Sequence, residues 1–355
     1  MALSRKSRLA SLSHVMYTNA VYFPNSRVYN GDTPGQLNYG CINRVYYAYA
    51  NVTANGDVFL SDEWADVLAP CDGCQGALGS LLHIKQRYPH LQVLLSIGGG
   101  GSAETFPIVA ADAVLRDKFA RAARGLIEAS DLDGIDIVWE YPLTPDQGRD
   151  FLSLLAAIRV HLPEDRYLLT AALPAVKDVL RNIDLRQAAV DYLDTLNLVA
   201  YDFYGPWTAK SGHHAQLYAM RPDEPSIDAA VRHLAAAGVP GKKVLLGIPL
   251  FGRSFAGVSG PGHKNRGCGG GGGALEYKEL PRKGAKETLD KRAIAASCAS
   301  GDVWVTYDNP ESVKLKAGYC KQKGLGGLFY WSAPCDSRDP KRSLITTGFK
   351  TLHSS

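Results

Sequence analysis

Eight short apolar runs, rich in β-branched and aromatic residues, recur along this chain, and most are separated by stretches of helical periodicity. The runs are "TNAVYF" (18–23), "NRVYYAYANV" (43–52), "LQVLLSI" (91–97), "DGIDIVWE" (133–140), "YLLTAAL" (167–173), "LDTLNLVAYD" (193–202), "KVLLGIP" (243–249) and "LGGLFYW" (325–331). Between them lie segments such as "DAVLRDKFARAARGLIEAS" and "DQGRDFLSLLAAIRVHL", whose apolar positions repeat at helical spacing. Strand then helix, repeated eight times, predicts an α/β fold of the (β/α)8 TIM-barrel type.

One interval breaks this rhythm. Between Phe251 and Gly324, which includes the glycine run "GCGGGGG", the chain is far longer than one crossover helix needs. It predicts a small α+β insertion domain between strands seven and eight, at 251–302. The barrel then takes 18–250 and 303–355, after an N-terminal extension over 1–17. The glycine run reads as a flexible loop, since no GxxxxGK[ST] phosphate cradle occurs anywhere in the chain.

Composition narrows the function. With 355 residues and 46% of them hydrophobic, the chain can bury a large core. Its formal charge of +4 is scattered, and no basic run is interleaved with aromatics, which argues against nucleic acid as a partner. No segment has the length and apolarity of a membrane span. The first residues show no signal-peptide core, so localisation stays open: secreted if a precursor segment was trimmed, otherwise cytoplasmic. Seven cysteines, an odd number, leave at least one free thiol, and "CDGC" at 71–74 lacks the second ligand pair of a metal site. No cofactor or metal is expected, and the expected state is a monomer.

In barrel enzymes the site lies at the carboxyl ends of the strands. Here those ends carry Tyr22, Ser96, Glu140, Tyr141, Tyr201, Asp202, Arg253 and Trp331. An aromatic rim with few charges suits stacking on sugar rings, with a small number of polar groups to orient them. In the fourth strand the period-two pleat puts Asp136, Val138 and Glu140 on one face and Ile135, Ile137 and Trp139 on the other. The apolar set suits the helix layer, so the acids point into the barrel. Buried carboxylates are costly unless paired, hydrogen-bonded or functional. A strand-end acid bridged to a loop is the alternative for Glu140 alone; Asp136 beneath it and the aromatic ring around it favour a functional role.

These residues resemble glycoside hydrolase family 18, the chitinases, over nearly the whole chain. The strand-four motif DxxDxDxE is met at Asp133, Asp136 and Glu140; SxGG is met by "SIGGG" from Ser96. "NLVAYDFYGPW", "LGIPLFGRSF", "YDNPESVKLKAGY" and "GGLFYW" follow in order. The resemblance implies hydrolysis of β-1,4-linked N-acetylglucosamine polymers, the substrate's own N-acetyl group supplying the nucleophile. Glu140 would be the general acid and later the base, with Asp136 beneath it and Tyr201 holding the acetamido oxygen. The implied substrate-binding set is Tyr22, Ser96, Gly98, Gly99, Trp139, Tyr141, Asp202, Trp207, Arg253 and Trp331, with chitin or its oligosaccharides as the partner.

The departures matter equally. Val138 stands where the family has an aspartate that accepts a hydrogen bond from the acetamido N–H and opposes the positive charge of the intermediate. Ser26 stands where many relatives carry a tryptophan, and Phe251 replaces a frequent tyrosine. Two functions follow: a chitinase weakened by Val138, or a lectin-like binder of chitin oligomers that has dropped catalysis. A barrel enzyme acting on phosphorylated metabolites is a third, opposed by the lack of a phosphate-binding glycine loop near strands seven and eight.

Overall fold

A computed structural model describes residues 16–354. All eight expected strands form: β1 (Thr18–Pro24), β2 (Arg44–Val52), β3 (Gln92–Gly98), β4 (Gly134–Val138), β5 (Leu168–Pro174), β6 (Thr195–Val199), β7 (Val244–Pro249) and β8 (Gly327–Trp331). Each pairs in parallel with its sequence neighbour, and β8 pairs with β1, so the sheet closes. Of the expected extension, residues 1–15 lie outside the described residues.

The helical segments form where their caps begin. Asp112 accepts hydrogen bonds from the backbone N–H groups of Val114 and Leu115 and starts the helix Ala113–Ala129; Thr144 caps Pro145–His161, with proline in the first turn. Their apolar faces join one large core between sheet and helices. A smaller core fills the barrel interior, built from Ala20, Tyr22, Tyr46, Ala48, Leu94, Leu168, Leu245 and Phe329. Its floor is polar: Arg44 bonds Gln92, Thr195 and Tyr46, and Tyr46 donates to Asn197. Among the described residues no helix is long and apolar enough to cross a membrane.

The long interval after β7 folds into an antiparallel five-stranded sheet. Its order is Ala274–Glu276, Phe251–Ala256, Val303–Tyr307, Ala295–Ser300, Glu287–Asp290. The expected boundary at 302 therefore falls five residues short of the end of the sheet's last strand, Val303–Tyr307. That run pairs with Phe251–Ala256 from Arg253↔Thr306 to Ala256↔Val303, which ties it to the insertion and not to the barrel. The α-helix Pro310–Gln322 follows and leads back to β8. Within the glycine run, Gly267, Gly270, Gly272 and Gly273 all take positive φ, a conformation other residues rarely adopt, and the segment turns the chain toward Ala274–Glu276. The "CDGC" segment is a two-stranded hairpin in which Cys71 faces Cys74, and both thiols are free.

Candidate active site

At the carboxyl ends of the strands a cleft of about 540 Å³ opens, lined by Tyr22, Tyr49, Val138, Glu140, Tyr141, Tyr201, Asp202, Phe251, Arg253, Glu276, Phe329 and Trp331, among others. The strand-four pleat holds as read: Val138 and Glu140 line the cleft, and Ile135, Ile137 and Trp139 belong to the outer core. Asp136 lies one layer below, fully buried. The register explains why a carboxylate is tolerated there. Its direct neighbours across β3 and β5 are Ser96 and Thr170, and both donate hydroxyl bonds, at 2.8 and 2.6 Å. Tyr22 donates a third at 2.7 Å, and the Asn197 amide a fourth at 3.3 Å. Burial still holds the Asp136 carboxyl above the usual carboxylate range, against the pull of these donors.

Glu140 is different. Burial and the nearby Asp202 carboxylate raise its proton affinity above that of an ordinary glutamate, and among the described residues no side chain hydrogen-bonds its carboxyl group. Asp202 is held the other way. It lies at a backbone φ of 63°, its carboxylate accepts two bonds from Arg253, both 2.7 Å, and the buried His214 ring lies 3.6 Å off. Burial opposes the charge, but these partners outweigh it and bring its pKa down to about 2. Two carboxyl groups in one cleft are thus pushed apart, one toward the acid form and one toward the anion. That division separates a proton donor from a fixed charge.

Aromatic rings line the rest. Trp331 packs against Tyr22, ring centres 5.3 Å apart, and stacks on Tyr49 at 5.9 Å. Tyr201 meets the edge of Phe251 at 5.7 Å, and the Arg253 guanidinium lies 4.9 Å from the rings of Phe251 and Trp207. Tyr141, beside Glu140, completes one wall.

Several expected binding residues take other places. Trp139 is buried on the helix side, stacked on Phe106 at 5.7 Å and edge-on to Phe151, because its pleat position faces away from the barrel. Ser96 is buried beneath the cleft, bonded to Asp136. Gly98 and Gly99 allow backbone contact: a Cβ at 98 would sit 2.2 Å from the Val138 carbonyl oxygen, and one at 99 would sit 2.9 Å from the Tyr49 ring. Trp207 is 60% exposed, outside the cleft lining, with Arg253 over its ring. Ser26 is exposed and also outside the lining.

Tyr49 was not anticipated. β2 carries a register shift between Ala48 and Ala50, which turns Ala50 into the outer core and Tyr49 toward the cleft. An extra residue of this kind is invisible to a period-two count. Glu276 and Leu275 were missed because they come from the insertion sheet, whose lean over the barrel has no sequence signal.

Comparison with known proteins agrees with this fold. The model of glycosyl hydrolases family 18 matches residues 18–336. Chitinase 1 of Aphanocladium album is 34% identical over 95% of this chain and 86% of its own length. Endochitinase 1 of Metarhizium robertsii is likewise 34% identical, over 95% and 85%. A GH18 chitinase of Cycas revoluta, solved in complex with (GlcNAc)3, superposes with a TM-score of 0.83 at 30% identity, over 94% of this chain and 98% of that one. Matched in sequence and fold along nearly its whole length, this chain belongs to family 18 of the glycosyl hydrolases.

Proposed function

We propose that this protein binds chains of β-1,4-linked N-acetylglucosamine in its aromatic cleft and hydrolyses them slowly. The observation that carries the proposal is the carboxyl pair: Glu140 held toward its protonated form at the cleft wall, and Asp202 fixed as an anion beside it. A protonated Glu140 can deliver its proton to the glycosidic oxygen and, once ionised, take one from water. The rings of Trp331, Tyr22 and Tyr49 form the surface on which a sugar ring would stack. Tyr201, its hydroxyl kept protonated by burial, is suited to donate to the acetamido oxygen as that atom attacks the anomeric carbon. The relatives' names, and the (GlcNAc)3 bound in the Cycas revoluta enzyme, support this substrate class.

The weakness is equally local. Between Asp136 and Glu140 the cleft presents the methyl groups of Val138, which neither accept a hydrogen bond from the acetamido N–H nor oppose the positive charge of the cyclised intermediate. A missing electrostatic contact of that kind lowers turnover by roughly 10²- to 10³-fold. One observation favours a second reading, a binder without catalysis: Asp136 is fully engaged with Tyr22, Ser96, Thr170 and Asn197, with valine between it and Glu140. Hydrolysis of a chitin oligosaccharide, followed beside calorimetric binding of the same ligand, separates the two. Slow cleavage that disappears in Glu140→Gln supports the enzyme; tight binding with no cleavage supports the binder.

A further inference from the structure

Across the barrel mouth from Glu140, Glu276 on the cleft wall is the inner member of a row of charges. β8 lies four strands from β4 in the closed ring, and its following turn, Ala333–Cys335, brings Cys335 to the cleft wall beside β1. There Glu276, on the insertion strand Ala274–Glu276, lines the cleft. Arg27, on the turn Asn25–Asn30 after β1, reaches it with Nη1 2.5 Å from Oε1 and Nη2 3.3 Å from Oε2. The same guanidinium lies 2.6 Å from Asp32, and Lys278 lies 2.8 Å from the other Glu276 oxygen. The result is an alternating row, Asp32, Arg27, Glu276, Lys278, that joins a barrel loop to the insertion sheet.

We propose that the Arg27–Glu276 pair is a strap that closes this end of the cleft and limits how many sugar rings a bound chain can seat. The proposal rests on the sugar-chain reading above. A two-pronged guanidinium–carboxylate contact is among the stronger ion pairs in a protein, and this one is partly shielded, the Arg27 and Glu276 side chains being 14% and 30% exposed. It ties two separately folded elements, so opening it requires the insertion sheet and the β1 turn to lose their shared contact. A chain extending past Trp331 toward β1 meets this bridge. The same turn carries Tyr29, exposed and packed against Trp64 with ring centres 4.9 Å apart, so a surface able to take another sugar ring belongs to the segment that the strap restrains.

The test measures Kd by calorimetry for N-acetylglucosamine oligomers from trimer to hexamer, with the full chain and two variants that open the strap from opposite sides, Arg27→Ala and Glu276→Ser. In the parent, affinity levels off, hexamer and tetramer agreeing within about twofold; in each variant the hexamer gains about tenfold over the tetramer while trimer affinity holds. If Arg27→Ala does not fold, Glu276→Ser carries the same comparison. A length profile in the variants as flat as the parent's overturns the strap, as does an equal loss at every length, which marks a structural tie only. A parent that already gains tenfold from tetramer to hexamer overturns it too. A parent that binds no oligomer of any length overturns the sugar-chain reading and the strap with it.

Discussion

At the scale of single residues, Glu140 lies in a setting whose burial and neighbouring Asp202 carboxylate disfavour its charged form. Its folded pKa lies above the ordinary glutamate value, so the folded state holds the proton more tightly than the unfolded chain does. Stability from this group is therefore present below the unfolded value near 4.5 and is lost as pH rises through the folded value. Glu140→Gln, which cannot ionise, should abolish residual hydrolysis, leave oligomer affinity close to the parent's, and melt higher than the parent at pH 7 but not at pH 4. Thermal melts at the two pH values, beside a cleavage assay, check all three outcomes. Trp331 makes a complementary demand. As the ring packed against both Tyr22 and Tyr49, it should act as an anchor, so Trp331→Ala is expected to weaken calorimetric binding of oligomers by about 2 kcal/mol.

Secondary-structure elements are where reading from sequence succeeded and where it stopped. Every barrel strand was legible because each is a short apolar run between periodic segments, and the β4 pleat correctly sorted Asp136, Val138 and Glu140 from Ile135, Ile137 and Trp139. Alternation fails where the ladder slips, as in β2 at Tyr49, and where a strand belongs to another sheet, as at Val303–Tyr307. Nor does a motif reveal depth: Ser96, Gly98 and Gly99 support the site from beneath or behind it. The helix Pro310–Gln322 gives a further case. Asn309 caps it in a reciprocal bond with Ser312, and one turn on, Lys316 is fully buried with its ammonium 2.6 Å from the equally buried Asp308 and 2.5 Å from the Ala215 carbonyl oxygen. Removing Lys316 leaves the Asp308 carboxylate buried without its countercharge, with the Ser312 hydroxyl still donating to it, so Lys316→Met should destabilise by about 3–5 kcal/mol in denaturant unfolding. The double variant Asp308→Asn, Lys316→Met should recover part of that loss, which a simple packing defect at 316 would not permit.

For the molecule as a whole, barrel and insertion sheet share one cleft, with Glu140 just past the end of β4, Asp202 after β6, its partner Arg253 on the insertion strand Phe251–Ala256 and Trp331 at the end of β8. In the proposed reading the proton donor and the stacking surface come from different strands of the one barrel, so a single substitution is expected to affect one without the other. The central claim is that this cleft is complete for binding and short of one carboxylate for turnover. Val138→Asp tests it most directly, measured as the rate of chitin-oligosaccharide hydrolysis with affinity followed in parallel. Position 138 shares its inward face with Asp136 and Glu140, so an aspartate there stands between them, able to accept the acetamido N–H and to oppose a charge that develops only as the bond breaks; contacts of that kind raise turnover more than binding. The account predicts a rise of roughly two to three orders of magnitude in hydrolysis with little change in affinity. A folded Val138→Asp protein that binds oligomers as the parent does and cleaves them no faster would contradict it.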